Sequence, residues 1–479
     1  MLFNSINFIL FFVGVVLLYY IIPCNRMRKI VLLFASYYFY ACFNVAMLTI
    51  LLFETLIAYI YGRNEELINK EFKKKILIGV IILLLLPLIC FKYLNFISDS
   101  IADALSIANV TIQMPKFELL LPVGISFYTF MAVGYVFDIY KKKIRKECNI
   151  LDFALFIGFF PQIASGPIGR AGQLIPQFKK KKTLQYQNVT AGVKMMLWGF
   201  FMKLVIGDRA GIYVDTVFNN YIYHNGASLL LATFLYTVQI YCDFAGYSII
   251  AIGAAKTMGF ELLENFRRPY YAVSVGDFWR KWHISLSSWF RDYVYFPIGG
   301  SKCSRIKTYR NIMITFLVSG LWHGASYNFI IWGGYHGACQ IVGRIIMPYK
   351  ERIRRLLHIK DDCMIRKTFD IISTICLISY GWMIFYAPNM HFICSVTKRY
   401  FQMGKPYIHQ TTIFFFAIGF LLLFFKDLKD EFFLNKIYLL KKHHPIATKI
   451  WHYIEFSTLA VLIVWIGVLG GGQFIYFKF

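Results

Sequence analysis

Long apolar runs recur along the whole chain, and they constrain its fold more than any other feature. About 20 apolar helical residues cross the hydrocarbon of a bilayer. Because backbone polar groups inside hydrocarbon must be satisfied within their own segment, the pattern predicts an all-α, polytopic transmembrane helical bundle of about 10–12 spans. The candidate spans, several of them short, are residues 3–22, 30–44, 46–61, 76–92, 118–139, 190–206, 229–252, 311–328, 329–346, 369–387, 411–425 and 456–475.

Composition and charge agree with a membrane protein. Only 16% of the 479 residues are charged and 58% are hydrophobic, whereas a soluble domain carries about 25% charged residues. The formal net charge of +26 could indicate a nucleic-acid partner, but the basic residues fall in runs between apolar segments, as the positive-inside rule predicts. No nucleic-acid-binding signature accompanies them, so we expect no nucleic-acid partner.

The basic runs orient the spans. The loop 93–117 is poor in Arg and Lys and fits the outer side, and the pattern is consistent if both termini lie outside. Residues 1–7 carry no positive charge, which predicts a retained first span rather than a secretory signal. The loops predicted to be cytoplasmic contain Arg26/Arg28/Lys29, Lys73–Lys75, Lys141–Lys146, Lys179–Lys182, Lys302–Arg310, Lys350–Arg355 and Lys441/Lys442.

Two segments do not fit simple crossings. The apolar stretch 153–163 has basic runs on both sides, is too short to span and is followed by Gly166 and Pro167. It predicts a re-entrant segment, which survives only where protein or a cavity covers its backbone. Residues 311–346 are also flanked by basic loops, and they allow two shallow passes or a pair of broken helices.

His323 is the first candidate for chemistry. It lies in the sequence Gly320-Leu-Trp-His-Gly-Ala-Ser within this second segment, and His336 follows in its second half. An ionisable residue inside a membrane is a functional-site hypothesis by default, and histidine moves protons near neutral pH. Small neighbours let a narrow substrate approach. The alternative is a structural histidine that bonds to a neighbouring helix.

Residues 277–292 predict one amphipathic helix at the cytoplasmic interface. Phe278, Trp282, Leu286 and Trp289 recur at helical spacing, opposite a polar side that includes Arg280, Lys281, Arg291 and Asp292. His283 shares a face with Trp279 and Phe290, so we expect it in apolar surroundings. From these residues alone, a packed interfacial histidine is the favoured interpretation.

Asp243 lies within the apolar span 229–252. A carboxylate there must be paired or neutral, and we expect a structural ion pair with Arg267 or Arg280, or a tyrosine hydroxyl as partner. The ten cysteines are scattered without a CxxC pair, so neither a disulfide framework nor a metal site is predicted. The chain has no P-loop, no HExxH and no GxSxG elbow. The enzyme class that remains is acid–base catalysis by histidine at a buried site.

Seven motifs, in order over about residues 118–340, resemble the membrane-bound O-acyltransferase family, in its bacterial alginate O-acetyltransferase-like branch. They are Leu121-Pro-Val-Gly-Ile-Ser-Phe-Tyr-Thr, Phe160-Pro-Gln-Ile-Ala-Ser-Gly-Pro-Ile, Asp243-Phe-Ala-Gly-Tyr-Ser, Asn265-Phe-Arg-Arg-Pro-Tyr, Phe278-Trp-Arg-Lys-Trp-His-Ile-Ser-Leu-Ser-Ser-Trp, Arg291-Asp-Tyr-Val-Tyr-Phe-Pro-Ile-Gly-Gly and Gly320-Leu-Trp-His-Gly-Ala.

The resemblance implies re-entrant segments around a central tunnel and transfer of an acyl, here acetyl, group from a cytoplasmic thioester donor to an extracytoplasmic hydroxyl. It implies that His323 is essential and that His283 is a second important histidine. Our hypothesis is that His323 is the general base, and that His283 assists proton transfer or positions the donor. Further residues expected to bind substrate or donor, or to line the tunnel, are Trp282, Trp322, Asp243, Arg280, Lys281, Asn328 and His336.

The resemblance also implies donor, acceptor and location. The donor is acetyl-CoA or another acyl thioester, free or on a carrier, with no tightly bound cofactor. Arg267, Arg268, Arg280 and Lys281 are candidates to hold its phosphates, although positive-inside bias explains the same residues. The acceptor is a cell-envelope polysaccharide, or an extracytoplasmic acyltransferase partner that relays the group, and the location is the bacterial cytoplasmic membrane among its lipids.

We expect one integrated membrane domain with N-terminal helices at 1–117, a catalytic core at 118–346 and C-terminal helices at 347–479. D-alanyl transfer to teichoic acid is one alternative function. The other is a proton-coupled transporter or flippase, which broken helices and a midplane ionisable residue also fit. Matched repeats in the two halves would favour a transporter, and none is convincing.

Overall fold

The computed structural model describes residues 1–470 except 111, 113, 114, 118, 165, 359–362 and 434–444. The basic pair Lys441/Lys442 therefore lies outside the described residues. Within them the chain forms nineteen α-helices and no strand. They are α1 (Ile6–Ile21), α2 (Asn25–Ala41), α3 (Leu48–Asn64), α4 (Lys73–Ile107), α5 (Ile125–Tyr140), α6 (Ile150–Gly158), α7 (Phe160–Ile163), α8 (Ala171–Lys179), α9 (Tyr186–Phe200), α10 (Asp208–Asn219), α11 (Gly226–Thr257), α12 (Val275–Lys281), α13 (Ile284–Phe290), α14 (Arg305–His323), α15 (Tyr327–Leu356), α16 (Met364–Tyr386), α17 (Met390–Arg399), α18 (Gln410–Phe432) and α19 (Pro445–Ile466).

Each predicted span overlaps at least one of these helices, and residues 118 and 471–475 of two of the spans lie outside the described residues. Five helical segments are long and apolar enough to cross a membrane: α4, the segment from α9 to α10, α11, α16 and α18. Shorter apolar helices include α1 and α5. Apolar runs of this length give helices because only intrasegment hydrogen bonds are available in hydrocarbon. The predicted all-α polytopic membrane fold is confirmed.

The chain divides into two compact units. The first contains residues 1–193, 251–263 and 324–326, and the second contains residues 194–250, 264–323 and 327–479. His283, His323 and His336 all belong to the second unit. The division at residues 117 and 346 expected from the sequence stays a prediction.

In the first unit, the predicted re-entrant stretch is a broken helix pair, α6 and α7. The two helices meet at Phe159, whose neighbour Phe160 donates its backbone N–H to the Ser36 hydroxyl at 3.1 Å. Lys29 bonds Asp152 at 2.6 Å, which ties α6 to α2. The residues from 153 to 164 are all buried. Protein therefore covers the broken backbone, as such a segment requires.

In the second unit, residues 311–346 lie in a helical hairpin, α14 and α15. Two glycines allow the helices to touch: an added Cβ would lie 2.2 Å from the Phe329 carbonyl oxygen at Gly320, and 2.4 Å from the Phe316 carbonyl oxygen at Gly333. Gly324, which follows His323, interrupts the hairpin. The structure shows two helices joined by a short turn, and whether they are shallow passes through a membrane stays a prediction.

The segment between α9 and α10 is a π-helical turn, Phe201–Gly207. The Asp208 amide donates to the Lys203 carbonyl, five residues back. Beside this turn α9 crosses α11 closely, because a Cβ at Gly246 would lie 2.8 Å from the Gly199 carbonyl oxygen. A glycine on each helix thus permits the contact that places α11 beside the π turn.

Candidate active site

His323 is the last residue of α14 and is buried. Its ring centroid lies 4.9 Å from Trp322, 4.9 Å from Trp332 and 5.2 Å from Phe385. The indole of Trp332 comes from α15 and the Phe385 ring from α16, so three helices enclose the imidazole. Apolar rings on several sides exclude bulk water from the histidine, which strengthens any electrostatic interaction made there.

Asn328 joins two of the helices that form this enclosure. Its side-chain amide donates to the Phe385 carbonyl oxygen at 3.2 Å, which joins the start of α15 to the end of α16. Phe385 is one of the rings against His323. The predicted binding or lining residue thus fixes the position of a ring that packs on the histidine.

The single amphipathic helix predicted over residues 277–292 is wrong. The segment is α12, a break at Trp282 and His283, then α13, followed by a π-helical turn at Arg291–Tyr295. His283 lies in the left-handed region with φ 43°. The break is stabilised by a loop, because the amide of Ile284 donates to the Asn265 carbonyl at 2.9 Å. Sequence periodicity does not report such a contact.

His283 is fully enclosed beside this loop. Its Nδ1 lies 3.0 Å from the Asn265 side-chain oxygen, and its ring centroid is 4.6 Å from Phe244 on α11. The residue lies outside the spanning helices. Burial lowers the pKa of His283 to about 3, so the imidazole is neutral at ordinary pH. A ring that protonates with such difficulty is suited to accept a hydrogen bond rather than to hold a positive charge.

The Trp322 indole lies between the two expected catalytic histidines. Its ring centroid is 6.1 Å from His283 and 4.9 Å from His323. The structure therefore brings His283, His323 and Trp322 into one cluster. Trp282 lies behind it and packs on Trp382 at 4.7 Å with 1% of its surface exposed. We interpret Trp282 as a core residue of the cluster.

His336 lies on the other side of Trp332. The centroids of His336 and Trp332 are 4.9 Å apart, and Trp279 contacts the same imidazole at 5.1 Å. Neither ring nitrogen of His336 has a hydrogen-bond partner among the described residues, and the residue has no exposed surface. Gly381 provides its space, since a Cβ there would lie 2.5 Å from His336 Nε2. The contacts are those of a packed aromatic residue.

Asp243 is paired, but not with the partners expected from the sequence. Its carboxylate bonds the ammonium group of Lys203, which also contacts Asp208 at 2.7 Å. Arg267 instead bonds Glu264, and Arg280 bonds Asp277 at 3.5 Å. The sequence carried a signal for this cluster, because Lys203 is a cation inside the apolar span 190–206. The structural ion pair expected for Asp243 is thus present with a different cation.

Most of the cations predicted to hold phosphates are neutralised by carboxylates. Glu431 bonds Arg268 at 2.7 Å and Lys281 at 2.8 Å. Only Arg280 of the four predicted cations lines the large cavity of the second unit. Arg267, Arg268 and Lys281 do not line this cavity, and phosphate binding by the four cations stays a prediction.

The cavity has a volume of about 1320 Å³ and an amphipathic lining. Its apolar wall includes Trp279, Leu286, Phe290 and Phe316. Lys350, Arg354 and Arg366, which also line the cavity, form a network with Glu351 and Asp370. The cations outnumber the two carboxylates; they are Arg280, Arg291, Arg344, Lys350, Arg354 and Arg366.

Sequence neighbours of both histidines line the same cavity. Ile284, which follows His283, lines it, and so does Ser319, which lies one helical turn before His323. The cationic lining and sequence neighbours of both histidines therefore border one space. Sequence reasoning assigned Lys350–Arg355 to membrane topology alone and did not consider Arg344 or Arg366. Only the fold of α15 against α16 shows that these cations share a cavity.

Comparisons with known proteins fit this geometry. The model of MBOAT, the membrane-bound O-acyltransferase family, matches residues 83–397. A Pseudomonas syringae pv. tomato protein named "Probable alginate O-acetylase AlgI" is 36% identical over 411 residues, covering 84% of this chain and 76% of the relative.

The names of two further relatives give other acceptors. The peptidoglycan O-acetyltransferase of Helicobacter pylori is 32% identical over 433 residues, covering 83% of this chain and 79% of the relative. The teichoic acid D-alanyltransferase of Bacillus subtilis is 28% identical over 326 residues, covering 65% and 78%. The relatives share the acyl-transfer reaction and differ in the polymer and the group transferred. The chain is a multi-pass membrane O-acyltransferase and belongs to the membrane-bound O-acyltransferase family.

Proposed function

We propose that the protein moves an acetyl group from a cytoplasmic thioester to a hydroxyl outside the cytoplasmic membrane of a bacterium. The acceptor is a cell-envelope polysaccharide, or a partner acyltransferase that relays the group to one. O-acetyl transfer is supported by the names of the alginate and peptidoglycan relatives, both above 30% identity. The D-alanyl relative matches a smaller share of this chain.

The proposal rests on the cavity, whose lining combines an excess of cations with residues close in sequence to His283 and His323. Arginine binds phosphate groups through paired N–H donors, and six cations against two carboxylates favour an anionic ligand. A thioester of phosphopantetheine, whether coenzyme A or a carrier-bound group, has phosphate at one end and the acyl carbon at the other. The apolar wall along Trp279 and Phe316 suits the chain between them.

His323 is the proposed general base. A hydroxyl is a poor nucleophile until a base removes its proton, an effect worth about 10²–10⁴-fold. In our scheme the His323 imidazole takes this proton while the hydroxyl oxygen bonds the thioester carbonyl carbon. The carbon–sulfur bond then breaks with the electron pair on sulfur, and the thiolate receives the proton to leave as a thiol. His283 accepts a hydrogen bond from a reactant near the same carbon.

The direct test supplies purified protein in detergent with labelled acetyl-CoA and a hydroxyl acceptor such as an acetyl-free envelope glycan. We expect label on the glycan and an equal amount of free coenzyme A. His323→Ala should reduce both by at least about 10²-fold. The matched control is His391→Ala, which alters a histidine on α17 that contacts Tyr221 at 2.9 Å and lies outside the cluster.

Three results separate the alternatives. Activity with an acetyl-carrier protein and not with acetyl-CoA would keep acetyl transfer and change the donor. Label transferred only from a D-alanyl carrier would replace acetyl transfer by D-alanyl transfer. Full activity of a folded His323→Ala protein would overturn the assignment of His323 as the base.

A further inference from the structure

Asn265 is the residue through which the fold controls His283. It is buried, it precedes Phe266 in the loop after α11, and its backbone carbonyl bonds the Ile284 amide at 2.9 Å. Two residues later, the Arg267 amide donates to the Lys281 carbonyl at 2.9 Å. The loop thus runs along the break between α12 and α13, and Asn265 lies directly beside His283.

The hydrogen bonds of Asn265 settle the orientation of its side-chain amide. The backbone N–H of Ser285 donates to Oδ1 at 3.3 Å, and the Ser285 hydroxyl donates to the same atom at 2.9 Å. The Nδ2 group donates to the Ser248 hydroxyl at 3.2 Å. A backbone N–H only donates, so the atom facing Ser285 must be the amide oxygen.

This orientation determines the tautomer of His283. An amide oxygen only accepts, so Nδ1 of His283, 3.0 Å away, must carry the proton and donate it. In a neutral imidazole with a proton on Nδ1, the lone pair is on Nε2. The other tautomer would place two lone pairs against each other at this distance.

We propose that Asn265 is the positioning residue that holds His283 as its Nδ1–H tautomer, so that His283 acts in acyl transfer through Nε2. The part of His283 in acyl transfer rests on the proposed function, whereas its tautomer follows from the hydrogen bonds alone. Ser285 and Ser248 hold Asn265 from two sides, and the left-handed backbone of His283 (φ 43°) places its ring against the amide. Three hydrogen bonds to the two serines fix the Asn265 carboxamide, so it holds the imidazole more firmly than a side chain fixed by one hydrogen bond would.

The first test observes the tautomer directly in the wild-type protein. With ¹⁵N-labelled histidine, the signal that disappears in His283→Gln should have the shift of a protonated Nδ1 and an unprotonated Nε2 at pH 7. A protonated Nε2 would overturn the proposal. Because this measurement needs no substrate, it stands even if the protein transfers no acetyl group.

The second test is a double-mutant cycle on turnover. Asn265→Ala should lower kcat for coenzyme A release by about tenfold or more, with KM for acetyl-CoA changed less than threefold, because donor contacts remain. In a His283→Gln background the same change should have little further effect, since both changes remove one function. Equal losses from Asn265→Ala in both backgrounds would show that Asn265 acts independently of His283.

Conservative variants complete the test. Asn265→Asp keeps an oxygen that accepts from Nδ1–H and Ser285, so it should recover most of the kcat lost in Asn265→Ala. The control is Asn225→Asp, because Asn225 bonds the amide and hydroxyl of Ser228 in the same way without a histidine. That variant should keep wild-type turnover. Failure of Asn265→Asp to recover activity while it shows a wild-type melting temperature would contradict the role of the amide oxygen.

Discussion

Two buried polar clusters lie in the second unit, and α11 contributes to both. Asp243 on α11 joins Lys203 and Asp208 in a charged cluster. Ser248, five residues further along α11, joins Asn265 and His283 in a neutral one. Both clusters are almost fully buried, yet their chemistry differs in kind.

The charged cluster consists of a cation between two carboxylates, and its ion pairs link the π-helical turn to α11. Charges paired in this way cost much to separate and are poorly suited to change during a reaction. In the neutral cluster, the Asn265 amide uses its oxygen to orient an imidazole that keeps a lone pair. The comparison teaches that burial alone does not identify a reactive group. The protonation state and the tautomer that the neighbouring residues impose on the group do identify it.

Lys203→Met should have the largest effect on the comparison. It leaves two carboxylates buried without their cation, which costs about 3–5 kcal/mol when one partner of a buried pair is removed. We expect a clear fall in the melting temperature in detergent, measured by intrinsic fluorescence. Lys405→Met, at an exposed lysine, is the control. An unchanged melting temperature in Lys203→Met would show that the charged cluster does not support the fold.

Gly333→Ala should affect the helices that carry His323 without touching either polar cluster. The new Cβ would lie 2.4 Å from the Phe316 carbonyl oxygen, so α14 and α15 must separate at a cost of about 1–3 kcal/mol. Both melting temperature and coenzyme A release should fall. Gly334→Ala is a matched control, since its Cβ would be 3.8 Å from Leu317. Equal behaviour of the two variants would argue against close helix packing.

Lowering the pH should reduce the stability of the fold through His283, which belongs to the neutral cluster. Burial lowers the pKa of folded His283 to about 3, below the ordinary value of about 6.5. The unfolded chain therefore binds a proton below pH 6.5 that the folded chain does not, and stability falls as the pH falls from 6.5 towards 3. One pH unit below 6.5 corresponds to about 1.4 kcal/mol. Melting curves at pH 7.5 and 5.5 should show a smaller loss in His283→Gln than in wild type.

Arg280→Ala should have the smallest effect on the fold. Its pair with Asp277 is exposed, with Arg280 76% exposed and a separation of 3.5 Å, and such pairs contribute about 0–1 kcal/mol. Because Arg280 lines the cavity, KM for acetyl-CoA should rise by a few-fold. Lys302→Ala, another basic residue of a predicted cytoplasmic loop, is the control. Equal KM values in both variants would remove Arg280 from donor binding.

The helices could be predicted because their cause is local. Long apolar runs, such as those of α4 and α11, form helices wherever hydrocarbon surrounds them, even though Pro87 lies inside α4 and Gly246 inside α11. Local signals are also present at two breaks, since Gly324 follows His323 and Pro161 lies two residues after Phe159. What the apolar pattern could not give is the closeness of α14 to α15, which depends on Gly320 and Gly333 facing particular carbonyl groups.

The residues alone predicted the candidate site only where one of them stands out within its own segment, whereas His283 and Trp322 came from the family resemblance. His323 and Asp243 are ionisable residues in apolar runs, and their segment alone makes them visible. Asn265 could not be recognised in this way, because its role depends on a tertiary contact with His283, eighteen residues further along the chain. The cavity cations of α15 and α16 were hidden for the same reason, and helical periodicity misled at Trp282 and His283, where a tertiary contact ends one helix and starts another.

The π-helical turn at Phe201–Gly207 sets the angle by which α9 is rotated about its axis relative to α10. Lys203 and Asp208 are five residues apart, a spacing that would place them about 140° apart around an ordinary α-helix of 3.6 residues per turn. Removing one residue between them would create the four-residue spacing of a normal helical ion pair, so this bond could survive. The whole of α9 before it, however, would rotate by about 100° relative to α10. Relatives that differ by one residue here would then present a different face of α9 to Asp243, so the length of this turn is as informative as its sequence.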